Sequence, residues 1–325
     1  MCLISAKGVR VDTKFVQMLC QLNNDFYRDQ AVSFSDTRHA KWPGWERCLK
    51  AVSSVFLDQS NSVVLDVACG NLRFEKFLAS QLSERQIQVW ALDSCDELLP
   101  QTCAGTLVEK VNADTLSKKE RAHITEKTDA VDAPAAPEKA DGVDAVGATD
   151  APDVADAAGA HLQINYLHCD VMEAIGSSKA FTYGIPQADI SVSFGFMHHV
   201  PLPEWRVQLL NSLIEATKPG GFVCVSFWEF LADEGLAAKA YKTHERALAE
   251  LGPVWGFSSA DFKDGDFLLG WRNTPGAYRY CHSFSASEVD ALIATVSHRA
   301  ECVARFRADG RTETLNEYIV LQATE

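Results

Sequence analysis

Short apolar segments alternate along the chain with stretches of helical periodicity. Helical spacing is found at 74–82 and again at 204–217, where apolar residues repeat on one face before Lys218-Pro219-Gly220-Gly221 ends the pattern. Alternation of strands and helices predicts a mostly parallel sheet with helices on both faces. The pattern therefore predicts an α/β, doubly wound, seven-stranded sheet. The predicted strands are 63–67, 87–92, 162–167, 188–194, 222–227, 300–306 and 315–321.

The boundaries of the predicted domain follow from the same pattern. Only the short polar segment 307–314 separates the last two strands, so we expect a hairpin and an antiparallel last strand. We expect residues 1–60 to form an N-terminal helical cap on an α/β domain at 61–325. Within that domain we expect 231–285 to be an insertion on the substrate side.

Residues 113–161 differ from the rest of the chain in composition. From 129 to 160 the sequence consists mainly of Ala, Asp, Pro, Gly and Val, with no aromatic residue. Such a segment cannot bury enough apolar surface to offset the entropy of ordering it, so we predict a low-complexity, disordered insert. Residues 114–156 contain 11 acidic and 5 basic side chains, a net charge of −6 out of −14 for the chain.

Composition limits the possible classes of protein. A length of 325 residues fits one domain with an insertion, and the net charge of −14 argues against a strongly basic surface. No apolar run approaches the roughly 20 residues of a membrane span, and Met1–Arg10 lacks the apolar core of a signal peptide, so we expect a soluble, cytoplasmic protein. The 10 cysteines contain no C-x-x-C pair and are expected to be small buried hydrophobic residues rather than disulfides or zinc ligands.

A tight turn follows the first predicted strand, in the sequence Asp66-Val67-Ala68-Cys69-Gly70-Asn71. Strand, turn and helix in this order form the first unit of a doubly wound sheet, whose ligands bind beyond the carboxyl ends of the strands. Gly70 lets a ligand approach the backbone closely, because it has no Cβ. The second strand ends in Asp93-Ser94, where a carboxylate can accept both hydroxyls of a ribose.

Asp66, at the end of the first predicted strand, indicates which cofactor binds at this turn. The chain has no G-x-G-x-x-G sequence, which dinucleotide-binding folds use at this turn. Asp66 would repel a pyrophosphate, but it suits the cationic amino acid end of S-adenosylmethionine. We therefore expect Asp66, Ala68, Gly70, Asp93 and Ser94 to bind S-adenosylmethionine rather than NAD.

Two further strand ends offer contacts to the same cofactor. Asp170 and Val171 follow the third strand, where the carboxylate can accept a hydrogen bond from the adenine amino group and the Val171 N–H can donate to a ring nitrogen. The alternative for Asp170 is the N-cap of the following helix. Phe194 ends the fourth strand beside the same cleft.

Adjacent histidines, His198 and His199, lie just beyond the fourth strand, where the transferred methyl group would be. Neighbouring side chains point in different directions on most backbones, so we expect only one of them to face the cleft and to take part in catalysis. The alternative is that both are structural. A metal site is not expected, because adjacent histidines rarely converge on one ion and no third ligand has recognisable spacing.

Aromatic residues are frequent from 26 to 43, before the first strand, and this segment resembles a known family. It matches the pattern Y-x-x-x-A-x-x-F-S-x-T-R-x-x-x-W-P of the eukaryotic tRNA carboxymethyluridine methyltransferases, enzymes of the class I S-adenosylmethionine-dependent type. The matching residues are Tyr27, Ala31, Phe34, Ser35, Thr37, Arg38, Trp42, Pro43, His198, His199, Arg206, Trp228, Trp271, Arg279, Tyr280, His282 and Phe284.

The resemblance implies roles for several of these residues. It places Tyr27, Thr37 and Trp42 with the cofactor, and Trp228, Arg279 and His282 with the substrate. Arg38, with one or both histidines, is implied to hold the acceptor carboxylate for catalysis. A carboxylate with an ordinary pKa near 4 is already nucleophilic at neutral pH, so such an enzyme needs no general base.

The resemblance also implies tRNA as the acceptor and a small zinc-ribbon activator protein as a partner. The turn departs from the family's D-x-G-C-G-N-G, since Ala68 and Leu72 replace its first and last glycines, so we expect an altered loop geometry. Two other hypotheses stay open on the residues alone. One is a small-molecule O- or N-methyltransferase with a pocket of Trp42, Trp228, Trp271 and Tyr280, and the other is a non-catalytic protein that binds S-adenosylmethionine.

Overall fold

The computed structural model describes residues 13–58, 61–82, 85–112 and 161–324. The predicted low-complexity insert therefore lies outside the described residues, except for its last residue, 161. The described α-helices are α1 (Thr13–Ser35), α2 (Pro43–Ala51), α3 (Ser53–Asp58), α4 (Arg73–Gln81), α5 (Val171–Gly176), α6 (Pro203–Glu215), α7 (Glu234–Trp255) and α8 (Ala286–Val296).

The strands form one large sheet and one small one. The strands are β1 (Asn61–Val67), β2 (Gln86–Asp93), β3 (Thr102–Cys103), β4 (Thr106–Val111), β5 (His161–His168), β6 (Ala188–Ser193), β7 (Thr217–Trp228), β8 (Asp266–Gly270), β9 (Tyr278–His282), β10 (Ala300–Ala308) and β11 (Asn316–Ala323). The large sheet has the order β10-β11-β7-β6-β1-β2-β5-β4-β3, and β8 and β9 pair separately.

The sheet confirms the predicted doubly wound, mostly parallel architecture. From β7 through β6, β1, β2 and β5 to β4, neighbouring strands are parallel. The last strand, β11, lies antiparallel between β7 and β10, as expected from the hairpin.

The predicted count of seven strands is wrong, because the large sheet has nine. All seven predicted strands are present, and the two that were missed, β3 and β4, lie at one edge. β4 is too polar and exposed to have the apolar run of a buried strand, and Leu107 is 66% exposed.

Helices cover both faces of the sheet and bury two apolar layers. Leu209, Leu210 and Leu213 of α6 are fully buried on one face, while Phe77 and Leu78 of α4 pack on the other. Helix α7 and the β8–β9 hairpin occupy most of the segment 231–285. No helix among the described residues is long and apolar enough to cross a membrane.

Helix α1 lies over the carboxyl ends of the central strands. Its residues Leu19 and Leu22 are buried against Tyr278 and Tyr280 of β9. Because parallel strands end at the same edge, the loops after β1, β2, β5 and β6 meet beneath α1. This arrangement creates a covered cleft.

Candidate cofactor and acceptor cleft

A cavity of about 460 Å³ lies at the carboxyl ends of β1, β2, β5 and β6. Most of the residues predicted to form the site line this cleft. They are Tyr27, Arg38, Trp42, Asp66, Ala68, Gly70, Asp93, Ser94, Asp170, Val171, Phe194, His198, His199, Trp228 and Arg279. Thr37 and His282 are not among its lining residues.

The turn after β1 keeps left-handed backbone conformations at three positions. The φ angles are 66° at Ala68, 56° at Gly70 and 56° at Leu72. Leu72 is fully buried and packs in the core beneath the turn, so its side chain does not enter the cleft. The expected change in loop geometry relative to that family stays a prediction. The non-glycine residues adopt the conformations that glycine favours, at a cost in strain.

Asp93 connects the first two loops of the cleft. Its carboxylate accepts hydrogen bonds from the backbone N–H of Gly70 at 2.8 Å and of Cys95 at 2.9 Å. Burial raises the pKa of Asp93, and the N–H groups of Cys95 and Gly70 oppose that rise. The carboxylate is thus fixed at the mouth of the cleft, where we predict the ribose.

Asp66 lies at the base of the cleft beside a second carboxyl group, that of Glu75 on α4. Asp66 is 3% exposed and Glu75 is 0% exposed, and neither Glu75 oxygen has a conventional hydrogen-bond partner among the described residues. Burial and the neighbouring Glu75 raise the pKa of Asp66 well above its usual value. Burial raises the pKa of Glu75 to about 7, against the lowering effect of its contact with Asp66.

Sequence reasoning missed Glu75. The signal was present, since this acidic residue lies between the apolar residues Phe74 and Phe77 of the same helix. An amphipathic helix normally places carboxylates on its solvent face, so a carboxylate on the buried face is unusual.

Asp170 serves as an N-cap as well as lining the cleft. One carboxylate oxygen accepts from the backbone N–H of Glu173 at 2.9 Å, and the other accepts from the side-chain amide of Asn24 at 2.9 Å. The alternative interpretation, a helix cap, is therefore realised in the structure. The adenine contact stays a prediction, in which the carboxylate would accept an additional hydrogen bond.

Phe194 lies in an aromatic cluster beside the turn that follows β1. Its ring lies 5.0 Å from that of Phe74 and 6.0 Å from that of Trp45, measured between centroids. A Cβ added to the following residue, Gly195, would lie 3.0 Å from the ring of Trp42. The strand end and the start of α2 therefore approach each other closely at the cleft.

His198 and His199 both line the cleft, so the expectation that only one would face it is wrong. They belong to a 3₁₀ turn, Met197–His199, and their ring centroids are 4.1 Å apart. Successive side chains of a 3₁₀ turn are separated by about one third of a rotation rather than by the half rotation of a strand. Both can therefore border one cavity.

The two ring nitrogens of His199 are already engaged. Nδ1 lies 2.8 Å from the carbonyl oxygen of Tyr280, and Nε2 lies 2.7 Å from the hydroxyl of Tyr27. Because a carbonyl only accepts, Nδ1 donates to it and Nε2 accepts from Tyr27. Burial lowers the pKa of His199 to about 3 and that of His198 well below its usual value, so both rings are neutral at physiological pH.

Cys281 joins these histidines and was not found from the sequence. Its Sγ and one ring nitrogen of each histidine lie within 4.8 Å of one another, a group of potential metal ligands. An ion bound there through His199 would displace the Tyr280 carbonyl or the Tyr27 hydroxyl. Arg279 also lies beside the Cys281 thiol, and its positive charge opposes a second cation.

Arg38 and Arg279 present two guanidinium groups to the cleft, and a third arginine, Arg73, also lines it, with its Nη1 donating to the carbonyl oxygen of Ala40 at 3.2 Å. Arg279 is 7% exposed, and its Nε and Nη1 have no hydrogen-bond partner among the described residues. Its guanidinium carbon lies 4.9 Å from the ring centroid of Phe26 and 5.5 Å from that of Trp271. Arg38 stacks similarly on Phe34, at 4.7 Å, and burial lowers its pKa.

Thr37 and His282 are held in structural contacts outside the lining. The Thr37 hydroxyl donates to the carbonyl of Phe34 at 2.8 Å and closes the end of α1. Both ring nitrogens of His282 are taken by carboxylates, Asp266 at 2.7 Å and Glu288 at 2.9 Å. Trp271 and Tyr280, which the small-molecule hypothesis placed in a pocket, are likewise not among the lining residues.

Comparison with known proteins gives only distant structural likenesses. No family model and no curated protein matches the chain. A 1,6-didemethyltoxoflavin-N1-methyltransferase from Burkholderia thailandensis is 12% identical, with 95% of this chain and 91% of that chain covered and a TM-score of 0.47. The N-methyltransferase NodS from Bradyrhizobium japonicum is 10% identical, with 94% and 99% covered and a TM-score of 0.45. An S-adenosylmethionine-dependent methyltransferase from Clostridium acetobutylicum is 9% identical, with 93% and 97% covered and a TM-score of 0.43.

Proposed function

We propose that this protein is an S-adenosylmethionine-dependent methyltransferase that transfers the methyl group to a carboxylate. The observation that carries the proposal is the pair of guanidinium groups, Arg38 and Arg279, that face the cleft without an acidic partner. Among the described residues, none of the ion pairs involves either arginine.

A buried guanidinium without a counter-ion is costly, because arginine cannot lose its proton in a protein. Arg279 is nearly enclosed, and its free N–H groups have the planar arrangement that matches a carboxylate. A bound anion would supply the missing charge and hydrogen bonds. The cofactor brings one carboxylate of its own, so two arginines suffice for the cofactor and an acidic acceptor.

The histidines favour a carboxylate over an alcohol as the methyl acceptor. An alcohol must lose a proton during transfer, which requires a base near the methyl group. His199 cannot act as that base while its Nε2 accepts from Tyr27, and His198 has a pKa well below its usual value. A carboxylate needs no base, since it is ionised at neutral pH. A protonated amine would be repelled by the two arginines.

The residues around the turn fit S-adenosylmethionine. Asp66 suits the cofactor's ammonium group, Asp93 suits the ribose hydroxyls, and Asp170 with Val171 suits the adenine edge. When bound, the cofactor supplies an electrophilic methyl group on a sulfonium. The chain's own contribution is to orient an acceptor oxygen towards that methyl group and to exclude water, which α1 does by covering the cleft.

The resemblance found in the sequence supplies a candidate acceptor of this chemistry, the carboxymethyl group of a modified uridine in tRNA. The charges at the mouth of the cleft do not select between that acceptor and a small organic acid. Lys41 is exposed there, but it is paired with Glu46, and Arg73 donates to the carbonyl oxygen of Ala40 and stacks on Trp42.

The proposal is tested by incubating the protein with S-adenosylmethionine labelled in the methyl group and with fractionated RNA or small acidic metabolites. We expect label to enter one fraction as a methyl ester, which mild base releases. Label that resists mild base would contradict carboxylate methylation. Label in small acids but not in RNA would overturn the tRNA acceptor while leaving the chemistry intact.

Replacing Arg279 with Gln is expected to lower kcat/KM about 10- to 100-fold, because one charged hydrogen-bonding contact to the acceptor is lost. Replacement with Lys should retain part of the activity, since the charge remains without the planar fork. Initial rates at saturating cofactor measure the effect on the acceptor site. Calorimetric binding of S-adenosylhomocysteine measures the effect on the cofactor site. Arg28→Gln, on the exposed face of α1, is the control. Equal losses of activity and of cofactor affinity in Arg279→Gln would assign this arginine to the cofactor instead.

A further inference from the structure

We propose that Glu75 is a positioning residue for the cofactor. Glu75 shares a proton with Asp66, and binding of the cofactor's ammonium group depends on loss of that proton. The inference rests on the proposed function, because it assigns the amino acid end of S-adenosylmethionine to Asp66. Glu75 itself does not line the cleft. It acts through Asp66, which does.

The geometry isolates this pair from other partners. Glu75 is completely buried on α4, between the apolar side chains of Phe74 and Phe77. By distance and angle, its two carboxylate oxygens have no donor in the described part of the chain, and its nearest polar neighbours are the Asp66 carboxyl group and its own backbone N–H. A buried carboxylate normally has an N–H donor or a cation beside it, so an acid in this position is stable only if it keeps a proton or faces a charged ligand.

One acidic and one basic side chain act on the pair from outside. Of the described groups that interact with the pair, Lys76 is the basic one, and it follows Glu75 on the same helix. The carboxylate of Asp93 raises the pKa of Asp66 from the neighbouring strand. The titratable groups that face the pair are Cys69 on the turn, Cys103 on β3, Asp93 on β2 and Lys76 on α4.

Two adjoining buried carboxyl groups titrate as a unit and do not both ionise readily. In the free protein the unit therefore keeps protons up to neutral pH, as the raised pKa of Glu75 at about 7 indicates. A cationic ammonium group beside Asp66 favours the ionised form of the unit, so binding releases a proton. By linkage, affinity for the ammonium group rises with pH below neutrality and levels off above it.

Calorimetric titration with S-adenosylhomocysteine tests this coupling, because this ligand keeps the ammonium group and lacks the sulfonium charge. Between about pH 6 and about pH 7 we expect the Kd of the unmodified protein to fall by up to about tenfold. In Glu75→Gln the amide N–H donates to Asp66, which stays ionised. We therefore expect the Kd of this variant to change less than about twofold over the same pH range.

Two controls separate positioning from a merely structural role. 5′-Methylthioadenosine lacks the amino acid end, and its Kd should be independent of pH in both proteins. Asp66→Asn should bind S-adenosylhomocysteine weakly at every pH, because the group that contacts the ammonium is lost. Thermal unfolding followed by circular dichroism verifies that each variant is folded.

The outcomes distinguish this inference from the proposed function. Equal pH dependence in the unmodified protein and in Glu75→Gln would overturn the inference, as would weaker binding of a folded Glu75→Gln at every pH. A pH-dependent Kd for 5′-methylthioadenosine would also overturn it. If the unmodified protein does not bind S-adenosylhomocysteine at any pH, the proposed function itself fails.

Discussion

At the scale of single residues, the turn after β1 has left-handed backbone conformations at two positions where the resembled family has glycine. Ala68 and Leu72 adopt positive φ angles of 66° and 56°. A left-handed conformation costs a non-glycine residue about 1–2 kcal/mol. The Leu72 side chain offsets this cost, since it is 0% exposed and packs beneath the turn. The side chain of Ala68 is a single methyl group, which offsets less of this cost.

Glycine at these two positions should therefore affect stability to different extents. Ala68→Gly relieves strain but adds chain entropy to the unfolded state, so we expect the free energy of unfolding to change by less than about 1 kcal/mol. Leu72→Gly relieves the same strain but removes a buried side chain, and we expect a loss of about 2 kcal/mol or more. Urea denaturation measures both. A similar loss in Ala68→Gly would show that the methyl group, rather than the backbone, determines stability at the turn.

At the scale of elements, the sequence predicts best what burial alone determines. The central strands are buried on both faces, so their apolar runs identify them, and the acids at their carboxyl ends could be placed at one edge of the sheet. Strand β4 lies at the periphery and has no such run.

Asn23 was missed for a different reason: its partner Tyr280 is 257 residues away, so only the folded chain brings them together.

Asn23 fixes α1 over the cleft. Its side-chain oxygen accepts from the backbone N–H of Tyr280 at 2.7 Å. Asn23→Leu leaves that buried N–H without an acceptor, so we expect the free energy of unfolding to fall by about 1–3 kcal/mol.

The same substitution loosens the cover of the cleft, so we expect KM for the acceptor to rise as well. Gln21→Ala is the matched control, because Gln21 lies on the exposed side of α1 and its side-chain amide donates to Asp25 at 3.0 Å. Chemical denaturation and initial rates measure the two effects. An unchanged KM in a destabilised Asn23→Leu would restrict the role of Asn23 to folding.

At the scale of the whole molecule, acidity is unevenly distributed along the chain. Residues 114–156 account for −6 of the net charge of −14. They lie between β4, which ends at Val111, and β5, which begins at His161. Because β4 and β5 are parallel, this connection must return along the length of a strand, roughly 20 Å. The 48 residues from 113 to 160, which lie outside the described residues, far exceed that need.

Replacing residues 117–156 with a short Gly/Ser linker should therefore leave the α/β domain intact. With the flanking residues such a linker totals about 16 residues, whose mean reach of about 20 Å matches the span. We expect the Kd for S-adenosylhomocysteine to change less than about twofold and the melting temperature by less than about 2 °C, since the composition of the segment provides little to bury. A variant of full length with six of its aspartates changed to Asn is the control for charge. A lower melting temperature with the linker but not with the Asn variant would show that the segment packs against the domain, which would contradict the prediction from its composition.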